Sequence, residues 1–278
     1  MNDARWMSMC GLRLMHAAAC VAFVVGLIVA GAPASAQAPG SAFVADLPTR
    51  PGVTVRMLTL VPPGRPSFAA VLLVGGNGVT GIPANADAAW TRDGSFLVRS
   101  SPLFRDRGAY TVLVEVPSDL RGGMPTAFRN TPEHLADLAA VIADVRRRAA
   151  DLPVWLVGSS NGTRSAAYAA ALLPPTRGPD GIVLTASVAR PIIATHGPSL
   201  ADIRVPTLLV HNRLDACTPL AGAQALRFQL SGAPRQDMLL VSSAASPEAG
   251  TCGLYGAHSF YGIEAEVVAA IAGWIDRR

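Results

Sequence analysis

The sequence predicts an α/β domain with a mostly parallel central sheet and helices on both faces. Three observations carry this reading. Short apolar runs recur along the chain, several apolar at nearly every position, as strands buried on both faces require. Between them lie segments with apolar residues three and four apart, the period of a helix packed on a sheet. No repeat, low-complexity tract or linker interrupts the alternation, so a single domain over about 44–278 is expected.

Taken in order, the first 36 residues stand apart. Arg5 and Arg13 form a basic leader, "AAACVAFVVGLIVAGA" at 17–32 is uncharged and apolar, and "ASA" at 34–36 offers small residues for cleavage before Gln37. Those parts make a secretory signal peptide. A retained membrane anchor is the alternative, because the apolar stretch approaches spanning length. The small-residue site favours cleavage. Residues 37–43 then form a flexible mature N-terminus, and the mature protein is expected to be secreted or periplasmic, with no stable membrane association.

"VTVRMLTL" (53–60) and "FAAVLLVGG" (68–76) read as strands close enough to pair. "YTVLVEV" (110–116), "PVWLVGS" (153–159), "GIVLTASV" (181–188), "PTLLVHN" (206–212) and "DMLLVSS" (237–243) follow. "TPEHLADLAAVIADVRRRA" (131–149) is a helix with a Thr cap and a Pro in its first turn. "GTRSAAYAAALL" (162–173) and "EAEVVAAIAGWIDR" (264–277) read likewise.

Charge says little about partners. The formal net charge is +4, and every one of the 23 basic residues is Arg. Removing residues 1–36 leaves the positive excess smaller still. The run Arg146-Arg147-Arg148 ends a predicted helix, where cations complement the dipole. A solvated helix end explains it, and no nucleic-acid partner is expected. Cys10 and Cys20 leave with the signal peptide. Cys217 and Cys252 remain as an even pair in an oxidising compartment, which predicts a disulfide. Two cysteines supply too few ligands for a metal site. The loop closed would span about 35 residues, worth about 3–4 kcal/mol.

The chemistry concentrates in "LVGSSNGT", residues 156–163. Gly158-Ser159-Ser160-Asn161-Gly162 matches G-x-S-x-G, with Ser160 in the nucleophile slot. The pattern is common by chance, but here a buried strand precedes it and a small-residue helix follows. A sharp strand-to-helix turn needs glycines around the serine and exposes its hydroxyl above the sheet. A tight structural turn would look the same in isolation.

A serine hydroxyl needs a base, and the base needs an orienting acid. His258, in "GLYGAHSF" beyond the last strand, is the candidate base. His134 lies upstream in a helix and is expected on its surface. His196 sits in a connection without a pattern. His211 ends a strand ahead of any acid and is expected to line the site. Asp215, in "RLDACTP" after the strand 206–212, is the candidate acid, with Arg213 as a possible salt partner. Asp180, Asp202 and Asp237 are badly placed. Cys217 follows Asp215 by two residues and Cys252 precedes His258 by six, so the predicted bridge would tie the acid loop to the histidine loop.

Negative charge developing on a substrate oxygen needs backbone N–H donors. Asn161, after the nucleophile, supplies one. The loop "VGGNGVTG" (74–81) supplies the other, from Asn77 or its neighbour Gly76. A phosphate cradle is the rival reading of this loop, but the chain has no Lys.

Quoted together, "FAAVLLVGGNG", "VGSSNGT", "RLDACTP" and "GAHSF" resemble the α/β-hydrolase superfamily over nearly the whole mature chain. The resemblance implies about eight strands and a Ser160–Asp215–His258 triad working without a cofactor. One departure is Gly75-Gly76, where many members carry His-Gly. Cutinase-like polyester hydrolases are similar in lacking a lid and in carrying disulfides near the acid and histidine loops.

Only about 17 residues separate the strands at 181–188 and 206–212, which leaves no room for a cap domain. An open site is expected, lined by 82–107 and 117–130. Trp90, Phe96, Met124 and Phe128 are candidates for an apolar acyl wall. Alternatively, Phe96 and Leu97 pack a helix on the sheet. The expected function is an exported serine hydrolase acting on a small-molecule or polymeric carboxylic ester through an acyl-enzyme. A peptidase or amidase of the same fold, or a silent binding protein, is the alternative.

Overall fold

The computed structural model describes residues 38–277 apart from 91–93, 193–197 and 244–249. The expected signal peptide, with Cys10 and Cys20, and His196 lie outside the described residues. Among the described residues, eight strands form one sheet in the order β1-β2-β4-β3-β5-β6-β7-β8. They are β1 Ala42–Arg50, β2 Val53–Leu60, β3 Phe68–Leu73, β4 Ala109–Pro117, β5 Val154–Ser159, β6 Gly181–Thr185, β7 Thr207–Asn212 and β8 Gln236–Val241. The described residues belong to one compact unit.

From β4 to β8 every pairing is parallel, while β1–β2 and β2–β4 are antiparallel. The runs at 53–60 and 68–76 were expected to pair with each other, and they do not. β4 lies between them, because β3 is a parallel strand buried on both faces and finds parallel neighbours in β4 and β5. Strand β1 was not expected. It begins at Ala42, inside the segment read as flexible, and its Asp46 and Pro48 suit an edge strand with one partner.

Among the described residues, five α-helices cover the sheet: α1 Phe96–Asp106, α2 Pro132–Arg148, α3 Gly162–Leu172, α4 Leu220–Gln229 and α5 Glu264–Asp276. Leu138, Val141 and Ile142 of α2, Ala166 and Ala170 of α3 and Leu226 of α4 pack on one face. Phe96, Leu97 and Phe104 of α1 and Val268, Ile271 and Ile275 of α5 pack on the other. The strands alternate accordingly: Val71 and Leu156 face the first layer, Leu72 and Val157 the second. Thr131 caps α2 as expected, its side chain accepting from the His134 N–H. The arginines ending α2 engage in ion pairs, Arg146 with Asp180 and the other two with Asp144.

Candidate active site

Ser160 stands between β5 and α3 with φ +52°, in the left-handed region that costs any residue but glycine. The surroundings enforce this. Its N–H donates to the Thr185 carbonyl of β6 at 3.0 Å, and Thr163 Oγ1 donates to its carbonyl at 2.6 Å. The flanking glycines are required by space. A Cβ at Gly158 would lie 2.6 Å from the Gly162 carbonyl oxygen, and one at Gly162 would lie 1.9 Å from that of Leu73. The turn therefore packs against the end of β3, and Ser160 is brought up beside Gly75, where a Cβ would lie 2.8 Å from that of Ser160.

His258 sits in a short 3₁₀ turn, Ala257–Ser259, closed by Phe260 at φ +54°. Its Nε2 lies 2.9 Å from Ser160 Oγ and its Nδ1 lies 2.8 Å from Asp215 Oδ2. An ionised carboxylate only accepts, so Nδ1 carries the proton and Nε2 is free to accept from the serine. Asp215 is fully satisfied. The Cys217 and Thr218 N–H groups donate to Oδ1 at 2.9 and 3.0 Å, and the Thr218 hydroxyl donates to Oδ2 at 2.6 Å. Burial pushes this carboxyl up, but the bonds from His258 and Thr218 outweigh burial and hold it below the usual carboxylate range. Thr218 was not singled out in the sequence, although a Thr three residues after an Asp is a local turn signal. Arg213 forms no ion pair with Asp215 among the described residues.

The two loops are tied at several points. Cys217 and Cys252 are bonded to each other. Asn212 Nδ2 donates to the Ala257 carbonyl at 3.0 Å, next to His258. From the other side, Arg99 of α1 donates to the Ser259 carbonyl and pairs with Glu264. The bridge points to an oxidising compartment. Reducing it is expected to lower stability by about 3–4 kcal/mol, since it closes a loop between residues 35 apart. That corresponds to a fall in melting temperature of about 6–16 °C. Thermal unfolding followed with and without reductant checks this, and coincident curves would rule it out.

Facing Ser160 is the loop after β3. Among the described residues, the backbone N–H groups of Gly76, Asn77 and Asn161 have no acceptor. All three residues, with Gly75, line the cavity that contains Ser160 and His258. The loop is held from behind. Met124 N–H donates to the Asn77 carbonyl at 2.7 Å, and Asn161 Nδ2 donates to that of Gly76 at 3.3 Å. Glu115, a charge inside the otherwise apolar β4, accepts from the N–H groups of Thr80, Gly81 and Ile82. A charge inside that apolar run is the signal by which the sequence could have marked a loop anchor, and it was not read.

The cavity measures about 570 Å³ and is lined by Val79, Thr80, Ser95, Val98, Val188 and Leu254 besides the polar groups above. None of the five residues expected to line it, Trp90, Phe96, Met124, Phe128 and His211, does so. Trp90 packs partly buried against the core layer of α1 and α5. Met124 lies behind the Gly78 turn, and Phe128 stacks on His134 at 5.5 Å between ring centres. His211 is 1% exposed beneath Asp215; burial pushes its imidazole down against the pull of that carboxylate. Phe96 and Leu97 pack α1 on the sheet, the second of the two expectations, because 96–106 is a helix and not a loop. His134 is buried, not exposed, and its Nε2 meets Ser165 Oγ at 2.8 Å. The apolar wall is built instead from Val79, Val188 and Leu254 of the loops and Val98 of α1, which no spacing distinguishes.

No protein-family model matches the chain, and a search of curated proteins finds no match. Solved structures do match. Est1E from Butyrivibrio proteoclasticus is 13% identical, with a TM-score of 0.57, over 84% of this chain and 97% of that one. An α/β serine hydrolase homologue from Coxiella burnetii is 17% identical, with a TM-score of 0.56, over 86% and 99%. The Pyrococcus furiosus esterase Pf2001 is 10% identical, with a TM-score of 0.60, over 85% and 92%. The chain has the α/β-hydrolase fold. In this α/β-hydrolase fold Ser160, Asp215 and His258 all stand at the carboxyl ends of the parallel strands or in the loops beyond them. Among the described residues no cap covers them: β6 and β7 are joined by a connection holding only a short turn at Leu200–Asp202.

Proposed function

We propose that the protein is an exported serine hydrolase that cleaves carboxylic esters. The observation that carries this is the relay in which His258 reaches Ser160 Oγ at 2.9 Å and Asp215 at 2.8 Å. Ser160 Oγ attacks the ester carbonyl and His258 Nε2 takes its proton. The carbonyl oxygen becomes an oxyanion, which accepts from the N–H groups of Asn77 and Asn161. The tetrahedral intermediate expels the alcohol, which takes the proton from His258, leaving an acyl group on Ser160. Water, deprotonated by His258, attacks that group and releases the acid. Asp215 stays ionised and holds the imidazole in the tautomer and direction both halves need. The chain's own residues complete the cycle without a cofactor.

Esters are favoured over aminoacyl substrates by the cavity lining. Among the described residues it holds no carboxylate that would receive a substrate ammonium group. The Cys217–Cys252 bond supports export. The test is to recover the protein outside the cytoplasm with Gln37 first and expose it to a fluorophosphonate and to p-nitrophenyl esters. One label, on Ser160, and ester turnover without cleavage of aminoacyl amides are expected. Absence of labelling would favour a binding protein, and cleavage of amides alone a peptidase.

A further inference from the structure

Among the described residues Arg129 is the bulkiest fully buried side chain, 1% exposed, on the short turn Thr126–Asn130 behind the oxyanion loop. A buried guanidinium ordinarily carries a carboxylate partner, since isolating a cation from water is costly. Among the described residues this one has none. Its Nη2 donates to the carbonyls of Val74 at 3.1 Å and Gly76 at 3.3 Å, and its Nη1 donates to Ser165 Oγ at 3.0 Å. The fit is close: a Cβ at Gly78 would lie 3.0 Å from Nη2 and 2.7 Å from Met124 Cε. Burial, aided by Arg164, pushes the guanidinium down to about 10, so it stays protonated at neutral pH. His134 adds no second charge, because burial and the charges of Arg129 and Arg50 push it down to about 3.

The position of the Gly76 bond matters chemically. That carbonyl and the Asn77 N–H belong to one peptide unit. A cation at the oxygen end polarises the amide and makes its N–H a stronger donor. Asn161 Nδ2 donates to the same oxygen and fixes the plane of the unit. We propose that Arg129 is a positioning residue for the oxyanion hole, its buried charge acting through the Gly76 carbonyl to orient and strengthen the Asn77 N–H. The proposal rests on the serine-hydrolase reading above.

The test compares the wild type with Arg129→Met, Arg129→Gln and Arg129→Lys. Each is scored per active site by fluorophosphonate titration, with p-nitrophenyl esters and with a trifluoromethyl ketone. The ketone adds Ser160 Oγ to its carbonyl carbon and places a hemiketal oxyanion in the hole, the serine proton passing to His258. Met and Gln are expected to lower kcat by about 10- to 100-fold with KM little changed, less than the 10²–10³ for loss of a donor outright. The ketone's inhibition constant should rise by the same factor, and the hemiketal, followed by ¹³C NMR, should ionise at higher pH. Lys, which keeps the charge, should recover part of both.

A merely structural role predicts a lower melting temperature with unchanged kcat per titrated site. A folded Met or Gln variant with wild-type kcat and ketone affinity overturns the proposal. So does a Lys variant as impaired as Gln. If the neutral variants fail to fold, the wild-type adduct still decides: a hemiketal that ionises no more readily than the free ketone hydrate overturns it. A wild type that does not label at Ser160 removes the hydrolase reading together with this one. Wild-type activity alongside unaffected variants removes this one alone.

Discussion

Ser160→Ala is expected to abolish fluorophosphonate labelling and to lower kcat on p-nitrophenyl esters by about 10⁶-fold, while the fold and substrate binding survive. The reason is that nucleophile and base act as one unit. On the proposed mechanism, without Oγ no acyl-enzyme can form, and His258 has no proton to move. What remains on the proposed mechanism is the hole assigned to the Asn77 and Asn161 N–H groups, worth about 10³–10⁴ over water in such sites. His258→Gln should lose as much as Ser160→Ala, and the double variant little more, because removing either member already breaks the relay. Asp215→Asn is expected to cost about 10⁴, less than the serine, since an amide presents N–H to Nδ1 and selects the wrong tautomer. Labelling that survives Ser160→Ala would show that another residue is the nucleophile. Ser160→Gly separates activity from stability. Glycine adopts φ +52° without strain, so this inactive variant should unfold about 1 kcal/mol later than wild type.

The sequence made part of this legible, and physics explains which part. Seven strands announced themselves as short, mostly apolar runs; the central parallel ones are buried on both faces and so are apolar at nearly every position, as "FAAVLL" in β3 is. Strand β1 did not, because an edge strand with Asp46, Pro48 and Thr49 carries neither a continuous nor an alternating apolar pattern. Helix α1 was foreseen only as one of two readings of Phe96 and Leu97, with Pro102 inside it, and α4, which buries only Ala223 and Leu226, was missed. Ser160, Asp215 and His258 could be located from chain order, since each sits in a loop at the same sheet edge and few alternatives of its type exist there. Residues that act through backbone carbonyls could not. Arg129 and Asn212 reach oxygen atoms that every residue possesses, so no pairing of side-chain types records the contact. The cavity wall escaped for a third reason. Val79 and Val188 come from two connections and Val98 from the first turn of α1, and only the folded chain puts them side by side.

Gly162→Ala should be the most damaging single-methyl change in the site. The methyl carbon would lie 1.9 Å from the Leu73 carbonyl oxygen and 2.8 Å from its carbon, both backbone atoms at the end of a central strand. A flexible side chain could swing away; a strand paired on both sides cannot. Either α3 must lift off β3 or the β3 end must shift, and each route breaks something. Lifting α3 exposes Ala166 and Ala170 of the core layer. Shifting β3 drags Gly75, Gly76 and Asn77 away from Ser160. The expected cost is about 3–5 kcal/mol, the range of severe core clashes. That lowers the melting temperature by about 6–20 °C, with ester turnover lost even below the transition. Gly273→Ala is the control. It lies in α5 with nothing within 4 Å of the added carbon, so it should stabilise by about 0.5–1 kcal/mol and leave turnover alone. Thermal unfolding and ester assays on the two variants check both statements. Equal melting temperatures would mean that the elbow is not packed against β3 as tightly as these distances require.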